Sequence, residues 1–322
     1  MGNLGRVPTE YEIVTHGMNH TAIDDERLPL EMGPSRHGNR WLTEHRNEAA
    51  LRAESWDGFR DPDQITYRAY NKMQDESETY VDRLLQELTE EKQCDRDLDP
   101  AWLEGLGVAL APQRYPVHAL QMLATYTTQM APSSYIANCA SFQAADELRR
   151  VQRIAYRTKQ LQMAYPDRGF GERERGLWED HPHWQGVRKA LENALVAYDW
   201  DRSFAAVNLV LKPAYDHLFL RELAGVARQR GDDLDALVLE ALHHDAERSR
   251  TWSAALARYA VGARAENLDV LRGYVEEWTP LAEELVQGGA SLLAEAGGAD
   301  GSTIATRTRE RLAAFHAEAG LA

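Results

Sequence analysis

The chain has 322 residues, enough for one large domain or two small ones with a sizeable core. Its 36 Lys and Arg against 51 Asp and Glu leave a net charge of −15, which argues against nucleic acid as a partner because phosphate backbones require a basic surface. Cys94 and Cys139 have the spacing of neither a disulfide framework nor a metal site. There is no signal-peptide pattern near Met1, and no apolar run approaches the ~20 residues that span a bilayer. A cytoplasmic protein without membrane contacts is predicted.

Residues 1–60 differ in composition from the rest of the chain. Pro and Gly are scattered through them, no helical or strand period is sustained, and aromatic residues stand singly. A flexible tail is one interpretation, but disordered tails are usually poor in aromatic residues. We therefore predict an extended N-terminal arm over residues 1–60 that binds a partner.

From Asp61 onward the apolar residues follow a helical period, which predicts one helical domain over residues 61–322. Ser133-Ser134 and Asp232-Asp233 are suitable N-caps. No alternating strand pattern of useful length interrupts the helices, and several are long enough to suggest a large bundle. The predicted helices are Asp63–Gln93, Tyr115–Met130, Ser134–Tyr165, Glu172–Tyr198, Asp201–Arg228, Asp232–Val261, Ala265–Glu295 and Ser302–Ala319.

Residues 143–152, QAADELRRVQ, place charge on the apolar face of a predicted helix. At about 100° per residue, Glu147 falls within the apolar stripe of Ser134–Tyr165, with Arg150 beside it. Helical di-iron proteins place a Glu-x-x-His pair on such a face. Here arginine replaces the histidine, and a guanidinium that stays protonated cannot bind a metal ion. An exposed i, i+3 ion pair is the ordinary alternative.

The predicted helix Asp232–Val261 has the same peculiarity, with Asp245 at the centre of its apolar stripe and Ser249 one turn later. This helix also carries a literal Glu-x-x-His motif at Glu240 and His243. On the same projection these two residues lie opposite the apolar stripe, in solvent or at another interface. We therefore predict that the motif is not a metal site.

The remaining helices lack the carboxylates that a di-iron centre needs, about four together with two histidines from four helices. There is no Asp or Glu from Gly105 to Ala145, and the inward face predicted for Asp201–Arg228 is apolar. The predicted fold is all-α, a ferritin-like (ribonucleotide-reductase-like) bundle of long helices that lacks the di-iron ligands.

Short motifs in order along residues 10–281 carry a resemblance to a known family. They run from the entry segment near Trp56 to Trp252-Ser253. The chain resembles the β subunit of the hydroxylase component of soluble bacterial multicomponent monooxygenases, in the aromatic and alkene branch (toluene, isoprene and propene types). The motifs are WDxFxDPDQ at 56–64, YRxYNxMQD at 67–75, RY at 114–115, HxLQM at 118–122, QMAP at 129–132, AYRT at 155–158, YPD at 165–167, WQG at 184–186, NLVxKP at 208–213 and DAER at 245–248.

The resemblance implies that two iron-binding helices have lost their ligands. The family's catalytic α subunit, homologous to β, carries Asp-Glu-x-Arg-His on two helices. In this chain these segments read DELRR at 146–150 and DAERS at 245–249. We hypothesise that Glu147, Arg150 and Asp245 form a buried ion network in the vacated site. The implied vestigial di-iron positions are Glu147, Arg150, Asp245, Ala246, Ser249, Met122 and Leu211.

The same resemblance implies a non-catalytic structural role, with no cofactor in this chain. A di-iron α subunit and a γ subunit would complete an (αβγ)2 hydroxylase that inserts one oxygen atom from O2 into an aromatic or alkene substrate. Electrons would come from NADH through a flavin reductase and a Rieske ferredoxin, and an effector protein would regulate turnover. The candidate contacts with α are Tyr11, Trp41, Trp56, Phe59, Tyr67 and Tyr70.

Two other functions are compatible with a helical bundle. The chain could be an autonomous ferritin-like oxidase or oxygenase with an unusual ligand set, or a helical scaffold unrelated to oxygenases. The first requires carboxylates on two helices where the sequence predicts none. The second predicts a chain that is soluble alone, whereas a β subunit exposes apolar faces meant for its partner.

Overall fold

The structure is a computed structural model that describes residues 5–19 and 36–322. In the N-terminal part, α1 (Glu10–Thr15) begins at a capping box in which Thr9 and Glu12 satisfy each other's backbone amides. The short helix α2 (His37–Leu42) continues directly into a π-helical turn over Thr43–Asn47. These turns place apolar side chains such as Leu42 against the body of the protein.

Twelve further helices follow, and no strand occurs within the described ranges. Several continue into π-helical turns, and 200–229 forms one helical stretch in which two such turns, Ala205–Leu211 and His217–Glu222, separate α9, α10 and α11. The helices are α3 (Tyr67–Leu85), α4 (Pro100–Ala109), α5 (Arg114–Met130), α6 (Ser134–Ala164), α7 (Glu174–Asp180), α8 (Gln185–Ala194), α9 (Trp200–Phe204), α10 (Lys212–Asp216), α11 (Leu223–Gln229), α12 (Asp233–Ala263), α13 (Asn267–Gly297) and α14 (Gly301–Glu318).

The predicted all-α fold and most predicted helices are confirmed. Both predicted N-caps form: the Ser133 hydroxyl accepts from the Ile136 amide, and the Asp232 carboxylate accepts from the Asp235 amide. The helix predicted over 172–198 is wrong as one element, because Pro182 cannot continue a helix and divides it into α7 and α8. Helix α4 was not predicted, because most of its apolar residues are buried on all sides and show no amphipathic period.

The long helices pack side by side around one core. α5 and α6, joined by residues 131–133, lie along each other, and α12 packs against α3, α6 and the stretch 200–229. α13 covers the other side, against α4 and α8. The absence of a side chain at Gly186 permits this contact with α8, since a Cβ there would clash with the Glu284 carbonyl. The result is a bundle whose interior is bounded by α5, α6, α10 and α12.

The described parts of the predicted N-terminal arm lie against the chain's own bundle. Tyr11 is 3% exposed, with its ring 5.7 Å from that of Tyr135. Farther along, the Leu51 amide donates to Asp201 at 2.7 Å, and Trp56 packs edge-on against Trp200 at 5.0 Å. These residues therefore contribute to the core of this chain. In the described part of the chain, no helix is both long and apolar enough to cross a membrane.

Candidate functional site

Four charged side chains meet in the interior between α6 and α10, and we call them the inner cluster. They are Glu147, Arg150, Lys212 and Asp216, each 3% exposed. The Lys212 ammonium pairs with the Glu147 carboxylate and donates to Asp216 Oδ2 at 2.6 Å, while Arg150 Nη1 donates to Asp216 Oδ1 at 2.8 Å. Two cations and two carboxylates thus form a neutral chain, which is how buried charge is tolerated.

The surroundings of the inner cluster hold its charges in place. Arg150 donates to Gln113 Oε1 at 3.1 Å and lies 5.0 Å from the centre of the Tyr215 ring. Burial raises the pKa of Glu147. Burial alone would lower the pKa of Lys212, but the carboxylates of Asp216 and Glu147 outweigh it and raise that pKa. Among the described residues, Glu147 Oε2 has no hydrogen-bond donor, so this cluster is only partly satisfied.

The other predicted vestigial positions are divided between this interior and the surface. Ala246 and Ser249 of α12 line a small void together with Lys212 and Asp216, so they face the inner cluster. Leu211 is fully buried next to Lys212 in the chain. Met122 is 41% exposed on α5 and therefore does not contribute to this interior.

The prediction that the inward face of 201–228 carries no carboxylate is wrong, because Asp216 lies on that face. A projection at 100° per residue assumes an uninterrupted α-helix. Here π-helical turns before and after α10 change that angle and turn Lys212 and Asp216, one turn apart, toward α6. The i, i+4 spacing of Lys212 and Asp216 was the sequence signal that could have revealed this ion pair.

A second group of four charges, the outer cluster, joins α6 and α12. Its members are Asp146, Arg149, Asp245 and Arg248. The two helices exchange arginines: Arg149 Nη1 donates to Asp245 Oδ2 at 2.6 Å, and Arg248 pairs with Asp146. Arg248 also lies 3.3 Å from Asp245. The same Asp-x-x-Arg spacing on both helices makes this exchange possible.

Residues of α3 complete the outer cluster. Gln74 Nε2 donates to Asp146 at 3.0 Å and to Asp245 at 2.9 Å, and the Tyr70 hydroxyl donates to Asp146 at 2.8 Å. The hypothesised network of Glu147, Arg150 and Asp245 is therefore divided. Glu147 and Arg150 belong to the inner cluster, joined through Lys212 and Asp216, whereas Asp245 belongs to the outer one.

The side chains at the predicted vestigial positions do not fit a di-iron centre. In residues 5–19 and 36–322, no three or more His, Cys, Asp and Glu side chains are grouped so that they could hold a metal ion. Glu147 and Asp216 are the carboxylates closest to such a site, and both are paired with the Lys212 ammonium. Arg150 cannot act as a ligand, and Ala246 has no donor atom.

The two side chains of the Glu-x-x-His motif of α12 contact different partners. Glu240 pairs with Arg228, whereas the His243 ring lies 3.5 Å from Glu247. His243 is not in solvent, because packing against the 200–229 stretch leaves it 9% exposed. Burial lowers its pKa to about 4, so His243 is neutral at pH 7.

The six aromatic candidates for partner contact are mostly used within this chain. Tyr11, Phe59 and Tyr70 are buried, and Trp41 and Trp56 are half-buried. Trp41 donates to the Tyr126 hydroxyl at 3.0 Å. Tyr67, at the start of α3, is 72% exposed and keeps a free aromatic face.

Comparison with known proteins agrees with this architecture. The family model of the methane/phenol/alkene hydroxylases matches residues 39–264. The chain is 38% identical over 293 residues to the hydroxylase component subunit β of the toluene-4-monooxygenase system of Ectopseudomonas mendocina, covering 91% of this chain and 89% of that protein. The chain belongs to this hydroxylase family. Within it, the chain is a structural β subunit of the aromatic and alkene monooxygenases, which confirms the resemblance found in the sequence motifs.

Solved structures support the same assignment. A chain of toluene 4-monooxygenase, determined with toluene in its resting active site, superposes with a TM-score of 0.86 at 38% identity, covering 91% of this chain and 97% of that one. A chain of xenon-pressurised phenol hydroxylase from Pseudomonas sp. OX1 superposes at 0.83 with 19% identity, over 98% and 91% of the two chains. The second match shows the shared helical fold.

Proposed function

We propose that this chain is the metal-free, non-catalytic β subunit of a hydroxylase that inserts one oxygen atom from O2 into an aromatic ring or a C=C bond. The inner cluster carries the proposal. The resemblance places iron ligands at positions 147 and 150, and in this chain the cations Arg150 and Lys212 pair with the carboxylates of Glu147 and Asp216. A metal ion could bind these two carboxylates only by displacing the cations that already neutralise them, which disfavours metal binding.

We propose further that the chain assembles with a di-iron α subunit and a γ subunit as (αβγ)2, and that NADH, a flavin reductase, a Rieske ferredoxin and an effector protein serve the complex. The relative from Ectopseudomonas mendocina is named as one subunit of the hydroxylase component of a multicomponent system, which supports this assembly. Both cysteines are free thiols, as is usual in the cytoplasm. Tyr67 is the proposed aromatic contact with a partner subunit.

Iron analysis tests the proposal on the full-length chain, alone and co-purified with the hydroxylase subunits produced with it. We expect background iron on the chain alone and about two irons per αβ pair in the complex. Glu147→Gln should leave the iron content per pair unchanged, as should the control Glu78→Gln.

In the same co-purification, Tyr67→Ala should reduce recovery of the partner subunits; full recovery would exclude that contact.

Two results would contradict the metal-free assignment. Stoichiometric iron on the chain alone would favour the autonomous oxidase. Loss of iron from the complex in Glu147→Gln, with the Glu78→Gln complex unchanged, would place metal at the inner cluster.

A further inference from the structure

A cavity of about 370 Å³ lies on the outer side of the inner cluster, between the stretch 200–229, α12 and α14. Asp216 and Ala246 line both this cavity and the small void beside Lys212. Most of the other polar residues that line this cavity are arginines or histidines, namely Arg221, Arg250, Arg311, His217 and His243. We call the cavity the arginine pocket.

Arg250 is a half-buried cation of the arginine pocket. Its Nε atom is buried and has no hydrogen-bond partner among the described residues. Its guanidinium lies 5.8 Å from the centre of the Phe315 ring, and the carboxylate of Glu318 is 4.0 Å away. Burial and then the positive charge of Arg311 lower the pKa of Arg250. The protein therefore neutralises the positive charge of the Arg250 guanidinium only in part.

The carboxylates near the pocket offset its positive charge only in part. Asp216, on the floor, is already neutralised by Lys212 and Arg150. Glu247 is exposed and lies 3.5 Å from His243. Glu222, close by, is bonded to Arg307 and lies 3.2 Å from His217.

Two exposed arginines stand at the mouth of the pocket. Neither Arg221 nor Arg311 forms an ion pair with any residue in the described ranges. Deeper inside, the buried Nδ1 atom of His243 also has no partner there. The pocket thus offers unused hydrogen-bonding groups at two depths, and most of them carry positive charge.

We propose that the arginine pocket binds a small oxyanion, a phosphate, sulfate or carboxylate group, between the guanidinium groups of Arg250 and Arg311. Guanidinium groups recognise such groups through paired, charge-assisted N–H···O bonds. The volume lies at the small end of ligand sites, which suits an ion or a compact acid. Arg221 adds positive potential at the mouth and concentrates anions there.

The oxyanion can come from two sources, a free ion or a carboxylate side chain of a neighbouring subunit. Their chemistry at the guanidinium groups is the same. Inorganic phosphate is a probe for both, because a subunit carboxylate seated in the pocket would block phosphate in the assembled hydroxylase.

Titration calorimetry with inorganic phosphate tests the site on the full-length chain, in a low-salt buffer free of other oxyanions. We expect saturable binding of one phosphate per chain. Arg250→Gln and Arg311→Gln should each weaken it at least about tenfold, the effect of losing one charge-assisted interaction. Arg264→Gln, at the exposed C-terminal end of α12, is the matched control and should bind like the parent.

The results show whether the arginine pocket binds an oxyanion and whether that oxyanion is a free ion or a subunit carboxylate. Phosphate binding that persists in the co-purified hydroxylase identifies a free ion as the ligand, and binding lost on assembly identifies a subunit carboxylate. No saturable binding to the parent chain, or binding unaffected by Arg311→Gln, overturns the proposal. Arg311 is exposed, so its variant gives this answer even if Arg250→Gln does not fold.

Discussion

The inner and outer clusters have the same composition, two carboxylates and two cations, but different surroundings. The inner cluster is closed within the bundle, and one carboxylate oxygen of Glu147 has no donor. The outer cluster is supported by Tyr70 and Gln74 of α3 and borders a groove of about 740 Å³ between α3 and α12. Equal charge counts therefore do not imply equal energetic roles. The inner carboxylates are paired with Lys212 and Arg150, whereas the outer carboxylates also accept hydrogen bonds from neutral side chains.

The largest effect is expected at Lys212, which joins both carboxylates of the inner cluster. Lys212→Met leaves Glu147 buried without a counter-ion and should lower the free energy of unfolding by about 3–5 kcal/mol. Urea denaturation of the full-length chain measures this. Lys159→Met, on the exposed face of α6, is the control and should change stability by less than about 1 kcal/mol.

A double variant shows whether the inner charges depend on one another. Glu147→Gln combined with Lys212→Met removes both charges of the pair, so its loss of stability should be smaller than the sum of the two single losses. If the losses add, or if Lys212→Met unfolds like the parent, the inner cluster does not act as a unit.

A smaller effect is expected at the outer cluster. Arg149→Met removes one guanidinium from Asp245 and from Glu78, but Arg248 and Gln74 remain beside Asp245 and Arg153 remains beside Glu78. We expect a loss of about 1.5–3 kcal/mol, as for hydrogen bonds to a charged group. The control is Arg153→Met on the same helix, which removes pairs with Glu78 and Asp82 nearer to solvent. A loss larger than that of Lys212→Met would reverse the comparison of the two clusters.

An effect confined to acidic pH is expected at His243, beside the inner cluster, and it vanishes at neutral pH. The pKa of His243 is about 4 in the folded chain against 6.5 ordinarily, so the unfolded chain binds the proton more tightly. Stability from the neutral ring is therefore complete above pH 6.5 and falls as the pH decreases toward 4. His243→Gln should have a smaller loss over this range in urea denaturation.

His244→Gln provides the control for that pH dependence. His244 is the next residue on α12 and is exposed, so its variant should follow the parent profile. A His243→Gln profile identical to the parent between pH 6.5 and 4 would show that the ring is accessible to protons in the folded chain.

The sequence predicted the helices and part of the site for an identifiable physical reason. Apolar residues at helical spacing define α5, α6 and α12 without tertiary information. The same spacing showed that Glu147 and Arg150 face the interior, since charged residues within an apolar stripe become buried when the stripe packs. The sequence could not show that Lys212 and Asp216 join them, because the π-helical turns on either side of α10 alter the projection.

By itself, the sequence determined an all-helical bundle, and the family resemblance predicted that some iron-ligand positions, such as Arg150 and Ala246, carry residues unable to bind iron. That conclusion depends on residue chemistry and spacing, which are local properties. Only the tertiary structure decided which charges pair, because Glu147 finds Lys212 and Arg149 finds Asp245 across helices distant in sequence. It also brought the arginines of three helical segments around one pocket. Such contacts depend on helix register and rotation, which packing fixes.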